Sequence, residues 1–431
     1  MRRVVITGIG VVASNGVGRG PFWKACCEGR SGIAPIQAFD ASSYPIRVAG
    51  EVRNFDLAEH APASMRKHFK SMSRAARLGL GAAALAVRDS GIDFQAETMN
   101  PERVGVMIGT GVVPVDLGEL GPMLARAVAD DGELHPDRMA PVGQSAPLYP
   151  MWLLKHLPNM VASHISMAFN AQGPNSTIVT ACVAGTQAVG EGFRTIARGD
   201  ADIVLAGGAD SRIDPLMLLG YAAIGALSPA QSGNPHEISR PFDRTRDGFV
   251  IAEGAAILVL EEYEHAKARG AEIYAEVLGF GSSFDAYSIT RPDPEGCGGA
   301  RAVHAALNEA RIDHRDISYI NAHGTSTKLN DAMETAVVKR VFGEQAQRLR
   351  MSSIKSMIGH SIGAAGAIEA AALALTLKTK VLPPTINLHH PDPACDLDYT
   401  PNEACETPVK YGLSTSFGFG GQNGAIVMRA A

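Results

Sequence analysis

Hydrophobic positions along the chain fall into short β-branched runs separated by longer Ala-rich stretches, the alternation expected of an α/β protein with buried parallel strands. Five runs in the first part read as strands: Val4–Thr7, Val104–Ile108, Thr177–Thr180, Ile203–Ala206 and Ala256–Glu261. Five more follow: Ile273–Leu278, Ile317–Asn321, Arg350–Ser353, Gly412–Ser416 and Ala425–Met428. The matching sets predict two similar halves, residues 1–268 and 269–431, joined near Lys267–Ala271. The helix before the joint, Glu262–Arg269, carries both signs of charge at helical spacing and reads as a solvated face. Two other helices, Leu78–Val87 and Ala364–Leu377, are apolar nearly all round, with Glu369 the only charge in the second. Such helices have to be buried, so helices are expected between sheets as well as outside them.

Composition narrows the class. The chain has 431 residues, 46% of them hydrophobic and 19% charged, with a formal net charge of −5. That length allows a large core, and the low charge with a mean hydropathy of +0.03 excludes disorder. A mildly acidic balance argues against a nucleic-acid partner, which wants a basic face. The opening Met1-Arg2-Arg3 and its apolar sequel mimic a signal peptide, but glycines interrupt them, and a buried first strand is the better reading. No run of about 20 apolar residues stands out, so no membrane partner is expected. Six unevenly spaced cysteines without a CxxC pair indicate neither a disulfide scaffold nor a thiolate zinc site. Together these features point to a cytoplasmic protein with reduced thiols.

Gly8-x-Gly10-x-x-Ala13 follows a strand but is succeeded by Ser14–Pro21, which breaks any helix, so a dinucleotide site is not expected and a tight turn is. Phe417–Gly424 is richer: Gly418, Gly420 and Gly421 around Phe419 let the backbone approach a ligand, or form a hairpin between the last two strands.

The candidate nucleophile is Cys182. Ser176–Gly190 reads as strand, sharp turn and small-residue helix, with Cys182 at the turn, where helix N–H groups should stabilise a thiolate and lower its pKa. Two histidines lie just past strand ends in the other half: His323 in Asn321–Thr327, and His360 in a Gly-bounded turn after Lys355. Two imidazoles facing one thiol can donate hydrogen bonds to a developing oxyanion. They also match the donor types of a zinc site, although their wide separation gives no short chelate spacing.

Thr180-Ala-Cys182, Asn321-Ala-His323-Gly-Thr-Ser-Thr327, Lys355-Ser-Met-Ile-Gly-His360 and Gly418-Phe-Gly-Gly421 together resemble an elongating β-ketoacyl-acyl-carrier-protein synthase of the type II family, related to type II polyketide ketosynthases. The resemblance implies a thiolase-type five-layer α/β/α/β/α sandwich, usually homodimeric. It also implies a decarboxylating Claisen condensation of an acyl-enzyme thioester with malonyl-acyl-carrier protein. By that likeness Cys182 is acylated, His323 and His360 hold the enolate oxygen, and Lys355, ion-paired with Glu334 and accompanied by Asp331, supports them. Phe419 is a gate whose N–H joins that of Cys182 in an oxyanion hole, and Thr325 and Thr327 bind pantetheine. No metal and no resident cofactor are implied, since phosphopantetheine arrives on the carrier protein as substrate.

An acidic carrier wants a basic landing patch, for which Arg66, Lys67, Lys70 and Arg74 (with Arg77) are the candidates. Gly225 stands where many relatives have arginine, and Leu148–Pro158 is bulkier than expected; the latter could shape the acyl pocket or a dimer seam. A specialised polyketide or polyene ketosynthase working beside a chain-length factor is the alternative. A non-catalytic partner subunit would lack Cys182, and a thiolase would carry a second cysteine in Ser416–Gly424.

Overall fold

The structure is a computed structural model that describes residues 1–139, 148–230 and 233–431. All ten predicted strands form. The first half contributes β1 (Val4–Ala13), β2 (Val104–Gly109), β3 (Asn175–Ile178), β4 (Ile203–Asp210) and β5 (Gly254–Glu262). The second contributes β6 (Ala275–Phe284), β7 (Ile317–Asn321), β8 (Arg350–Ser352), β9 (Tyr411–Gly418) and β10 (Gln422–Ala430). Their spatial orders are β3-β2-β4-β5-β1 and β8-β7-β9-β10-β6, the same topology twice. In the first half β2 pairs in parallel with β3 and β4, while β5 runs antiparallel to β4 and β1. The second half repeats each relationship. Among the described residues, the two sheets join where β1 and β6 pair over Val4–Ile6.

Six helices complete the layers: α1 (Arg74–Ser90), α2 (Met160–Phe169), α3 (Ala184–Arg198), α4 (Cys297–Ala310), α5 (Lys328–Phe342) and α6 (Ala365–Thr379). Helices α3 and α6 pack on each other and on strands of both sheets, α1 and α2 cover the outer face of the first sheet, and α4 and α5 that of the second. The three largest apolar cores are one central and two outer. The all-apolar helices take the buried places foreseen for them, and Ala365–Leu377 is buried throughout. Contrary to expectation, one stretch, Ile362–Thr379, has the length and hydropathy of a membrane span, but 89% of it is buried inside the fold, which makes it the core helix.

Two local readings change. Gly8 and Gly10 do not turn the chain: β1 runs through them to Ala13, paired with β5. A Cβ at Gly10 would lie 1.9 Å from the carbonyl oxygen of Ala82 in α1, so the missing side chain is what lets helix lie directly on strand. Gly281 in β6 repeats the contact, with a Cβ 1.9 Å from the Ala302 carbonyl of α4. The short helix Tyr263–Ala268 is more than a solvated face. Arg269 at its end reaches back 2.7 Å to fully buried Glu261, whose other oxygen accepts 2.6 Å from Thr7.

Candidate active site

Cys182 owes its place to a strained turn. After β3, Ala181 adopts φ +51°, a left-handed conformation that costs an alanine about 1–2 kcal/mol. A single 3-10 turn, Ala181–Val183, then leads into α3. The second half repeats the device: Ile362 at φ +43° opens the turn Ile362–Ala364 before α6. The topological counterpart of Cys182 is therefore Gly363, and its N–H donates 3.0 Å to Asp210.

His323 follows β7 on a loop tied down by two buried carboxylates of α5. Glu334 accepts from the N–H groups of His323 and Gly324, both at 2.8 Å, and from the Thr415 hydroxyl at 2.7 Å. Asp331 accepts from the N–H of Thr325 at 3.0 Å and of Phe242 at 2.9 Å, and lies 3.4 Å from Arg246. Burial raises both carboxyl pKa values, that of Glu334 to about 7 despite its donors.

The expected Lys355–Glu334 pair does not form. Lys355 Nζ instead meets the carboxylate of Glu369 in α6, donates 2.6 Å to the His323 carbonyl, and lies 3.2 Å from His323 Nδ1. Glu334 is already occupied by three donors, whereas Glu369 is 1% exposed in the helix beside Lys355 and, among the described residues, has Ser416 as its one further partner. A lone carboxylate in an otherwise uncharged buried helix was the sequence signal for it.

The three candidates converge. His360 Nε2 lies 3.0 Å from Cys182 Sγ, and the His323 and His360 rings meet edge-on with centroids 5.4 Å apart. Donor atoms of the three side chains all lie within 4.8 Å of one another, so the trio could also ligate a metal ion. The Lys355 nitrogen beside His323 places positive charge there already. Burial holds both imidazoles well below the usual histidine pKa, helped by the charge of Lys355. The thiol departs from expectation: burial pushes its pKa up to about 11, outweighing the opposing influences of Lys355, the Phe419 N–H and Arg212. Burial thus favours the thiol form, whose proton has to leave during attack.

A cavity of about 350 Å³ opens from this trio to the surface. Thr325 and Thr327, their hydroxyls 2.9 Å apart, line one wall, and Gly418, Phe419, Gly420 and Gly421 another. Gly225, Arg291 and Lys328 also line it. The turn Ser416–Gly424 is both hairpin and cavity wall, since β9 pairs with β10 through Gly418 and Gln422.

Among the docking candidates, Arg66, Lys67 and Lys70 are exposed on the 3-10 segment Ala63–Ser71. Arg74 and Arg77 are exposed as well, but tethered: Arg74 donates 2.7 Å to buried Glu253 and 2.8 Å to the Val52 carbonyl, and Arg77 donates to the Phe69 carbonyl. A buried carboxylate thus fixes one cation of the patch in place and partly offsets its charge. In the bulky segment, Tyr149, Met151 and Leu153 are exposed, and Lys155 and His156 line a second cavity.

Family models agree with this arrangement. The beta-ketoacyl synthase N-terminal domain matches residues 1–266 and the corresponding C-terminal domain residues 274–389. The 3-oxoacyl-[acyl-carrier-protein] synthase 2 of Vibrio harveyi is 42% identical, and that of Coxiella burnetii 43%; each alignment covers 99% of this chain and 98% of the relative. Among solved structures, a type II polyketide ketosynthase in complex with its acyl-carrier protein and bound to the hexaketide superposes with a TM-score of 0.87 at 37% identity, covering both chains fully. A β-ketoacyl synthase from Burkholderia phymatum gives 0.88 at 35%, again over both full chains, and the ishigamide ketosynthase/chain length factor 0.86 at 35%, covering 100% of this chain and 99% of that one. With the duplicated five-layer fold and the Cys-His-His trio, these matches make the chain a member of the β-ketoacyl synthase family.

Proposed function

We propose that this protein elongates carrier-bound acyl chains by decarboxylating Claisen condensation, giving 3-oxoacyl-acyl-carrier protein. The observation that carries the reading is the 3.0 Å approach of His360 Nε2 to Cys182 Sγ, with His323 completing the trio at the inner end of a threonine-lined cavity. In the first half-reaction Sγ attacks the acyl thioester and the thiol proton passes by way of His360 to the departing pantetheine sulfur. The N–H groups of Cys182 and Phe419 hold the oxyanion. In the second, malonyl-carrier protein loses carbon dioxide while His323 and His360 donate to the enolate oxygen. The enolate carbon then attacks the acyl carbonyl, the C–S bond breaks, and Cys182 leaves as a thiolate that takes up one proton from solvent by way of His360. Thr325 and Thr327 hydrogen-bond pantetheine, and Phe419 gates acyl entry. The scheme calls for no metal and no resident cofactor.

Intact-protein mass spectrometry with acyl- and malonyl-carrier proteins tests this directly. One acyl group should appear on Cys182 and be discharged as 3-oxoacyl product. A stable thioester on Cys26, Cys27 or Cys297 of Cys182→Ser would overturn it.

The carrier protein docks, in this reading, on Arg66, Lys67 and Lys70, with an acidic helix as the complement. A homodimer is favoured by edge strand β3, which among the described residues has a neighbour on one side only and exposed Val179 just beyond it, whereas β8 at the other edge has a bridge from Asp398. The second reading, a specialised ketosynthase paired with a chain-length factor, draws on the polyketide and ishigamide neighbours; turnover by the purified chain alone favours the homodimer. Six free cysteines fit a reducing, cytoplasmic setting.

A further inference from the structure

Arg212 is one of the most deeply buried cations in the protein, 6% exposed, and neither the fold nor the reaction above accounts for it. Its guanidinium donates to Asp210 at 3.1 and 3.2 Å and to the Tyr221 hydroxyl at 2.9 Å. It presses so closely on the chain opposite that a Cβ at Gly111 would lie 1.6 Å from Nη2. Burying such a pair contributes little net stability, so its location is the informative fact. Tyr221 packs edge-on against Phe249, centroids 5.9 Å apart, and Phe249 lines the catalytic cavity together with Cys182. The chain neighbours of Arg212, Ser211 and Ile213, line a second cavity of about 580 Å³, as do Val113 and Pro114, just beyond Gly111. Cys182, Ile213 and Tyr221 belong to one apolar cluster, and the charge of Arg212 acts on the thiol.

We propose that Arg212, braced by Asp210 and Tyr221, is a specificity-determining residue: a polar partition between the catalytic cavity and the second cavity that limits the length of saturated acyl chain Cys182 accepts. This rests on the condensing-enzyme reading and names its substrate class, short acyl thioesters. An alkyl chain growing past the thioester toward the second cavity meets a guanidinium already engaged with a carboxylate and a phenol. Passing it requires breaking those contacts without offering replacements, a cost that hydrocarbon cannot offset. Chains ending before the partition escape the penalty.

The test is a loading ladder. Saturated acyl-carrier proteins from butanoyl to hexadecanoyl are presented to the full-length protein, and acylation of Cys182 is timed by intact mass. The native protein should load hexadecanoyl at least about tenfold more slowly than butanoyl. Asp210→Asn with Arg212→Met removes the charge pair, keeps an acceptor for the Gly363 N–H, and should raise the long-to-short ratio about tenfold. Tyr221→Phe, a milder change that serves if the double variant does not fold, should raise it by less. A structural role would slow all lengths together and leave the ratio unmoved; that result, or equal loading of all lengths by the native protein, overturns the partition. Failure of every acyl group to reach Cys182 would overturn the condensing-enzyme reading itself.

Discussion

Lys355 Nζ lies 3.2 Å from Nδ1 of His323, which fixes the ring as a donor. A nitrogen facing an ammonium accepts rather than donates, so the imidazole proton resides on Nε2. Glu369 is what holds the ammonium there. Replacing Glu369 by Gln should leave a buried cation without its carboxylate and cost about 3–5 kcal/mol of stability in denaturant unfolding. Lys355→Met combined with Glu369→Leu should recover most of that stability but not malonyl decarboxylation. A larger loss from Glu334→Gln than from Glu369→Gln would return the pairing to Glu334.

The histidines should divide the work unequally. His323→Ala and His360→Ala are both expected to lose malonyl decarboxylation more severely than acylation of Cys182, because in the proposed mechanism both donate to the enolate oxygen. The acylation defect should be the larger for His360→Ala, whose ring contacts Sγ directly. Separate assays of carbon dioxide release and acyl loading decide this, and equal loss of both half-reactions in both variants contradicts it.

Buried neutral imidazoles also leave a signature in stability. The pKa values of His323 and His360 are depressed in the fold, so below about pH 6.5 the unfolded chain binds protons that the folded protein refuses. Their contribution is intact above about pH 6.5 and is lost as pH falls toward the folded-state values. Glu334 acts in the opposite sense: its raised pKa gives stability present below about pH 4.5 and lost as pH rises through about 7. Comparing the native protein with His323→Asn/His360→Asn isolates the histidines. Between about pH 7.5 and 5.5 the native protein should lose roughly 1 kcal/mol per histidine relative to the variant. Parallel pH profiles would show that the rings are already charged in the fold.

For carrier docking, Lys67→Glu with Lys70→Glu should raise the KM for acyl-carrier protein and flatten its salt dependence, since exposed charges steer encounter and are screened over about 8 Å at physiological ionic strength. Turnover of a free acyl-pantetheine thioester should barely change. Arg74→Glu is expected to behave differently, losing stability as well, because Glu253 would face a like charge. If both substrates suffer equally from the lysine changes, docking lies elsewhere.

Periodicity and motif spacing locate all ten strands, the two buried helices and the convergent Cys182, His323 and His360, because each leaves a local trace: a β-branched run, a helix with at most one charge, a cysteine or histidine at a strand end. What they miss are relationships made by packing. Gly8 and Gly10 look like a turn until the carbonyls of Ala82 and Ala86 are seen against them. Arg74 looks free until Glu253, far along the chain, is brought beneath it. Cys182 sits at a helix start, as expected, yet its burial governs its acidity, and burial is a property of the whole fold. Arg212 offered no signal, being a single cation in an unremarkable loop after β4.

The matching elbows at Ala181 and Ile362 show how a duplicated architecture becomes asymmetric chemistry. Each copy carries the same bent entry to a central helix, so each had a post for a reactive side chain. One post holds sulfur; the other holds Gly363, whose missing side chain keeps the Asp210 carboxylate within reach of its amide. A side chain on the vacant post would collide with the backbone of Thr110 and with the Asp210 carboxylate. One repeated frame thus supports two unlike turns: in one copy it presents a thiol, and in the other it braces a buried carboxylate.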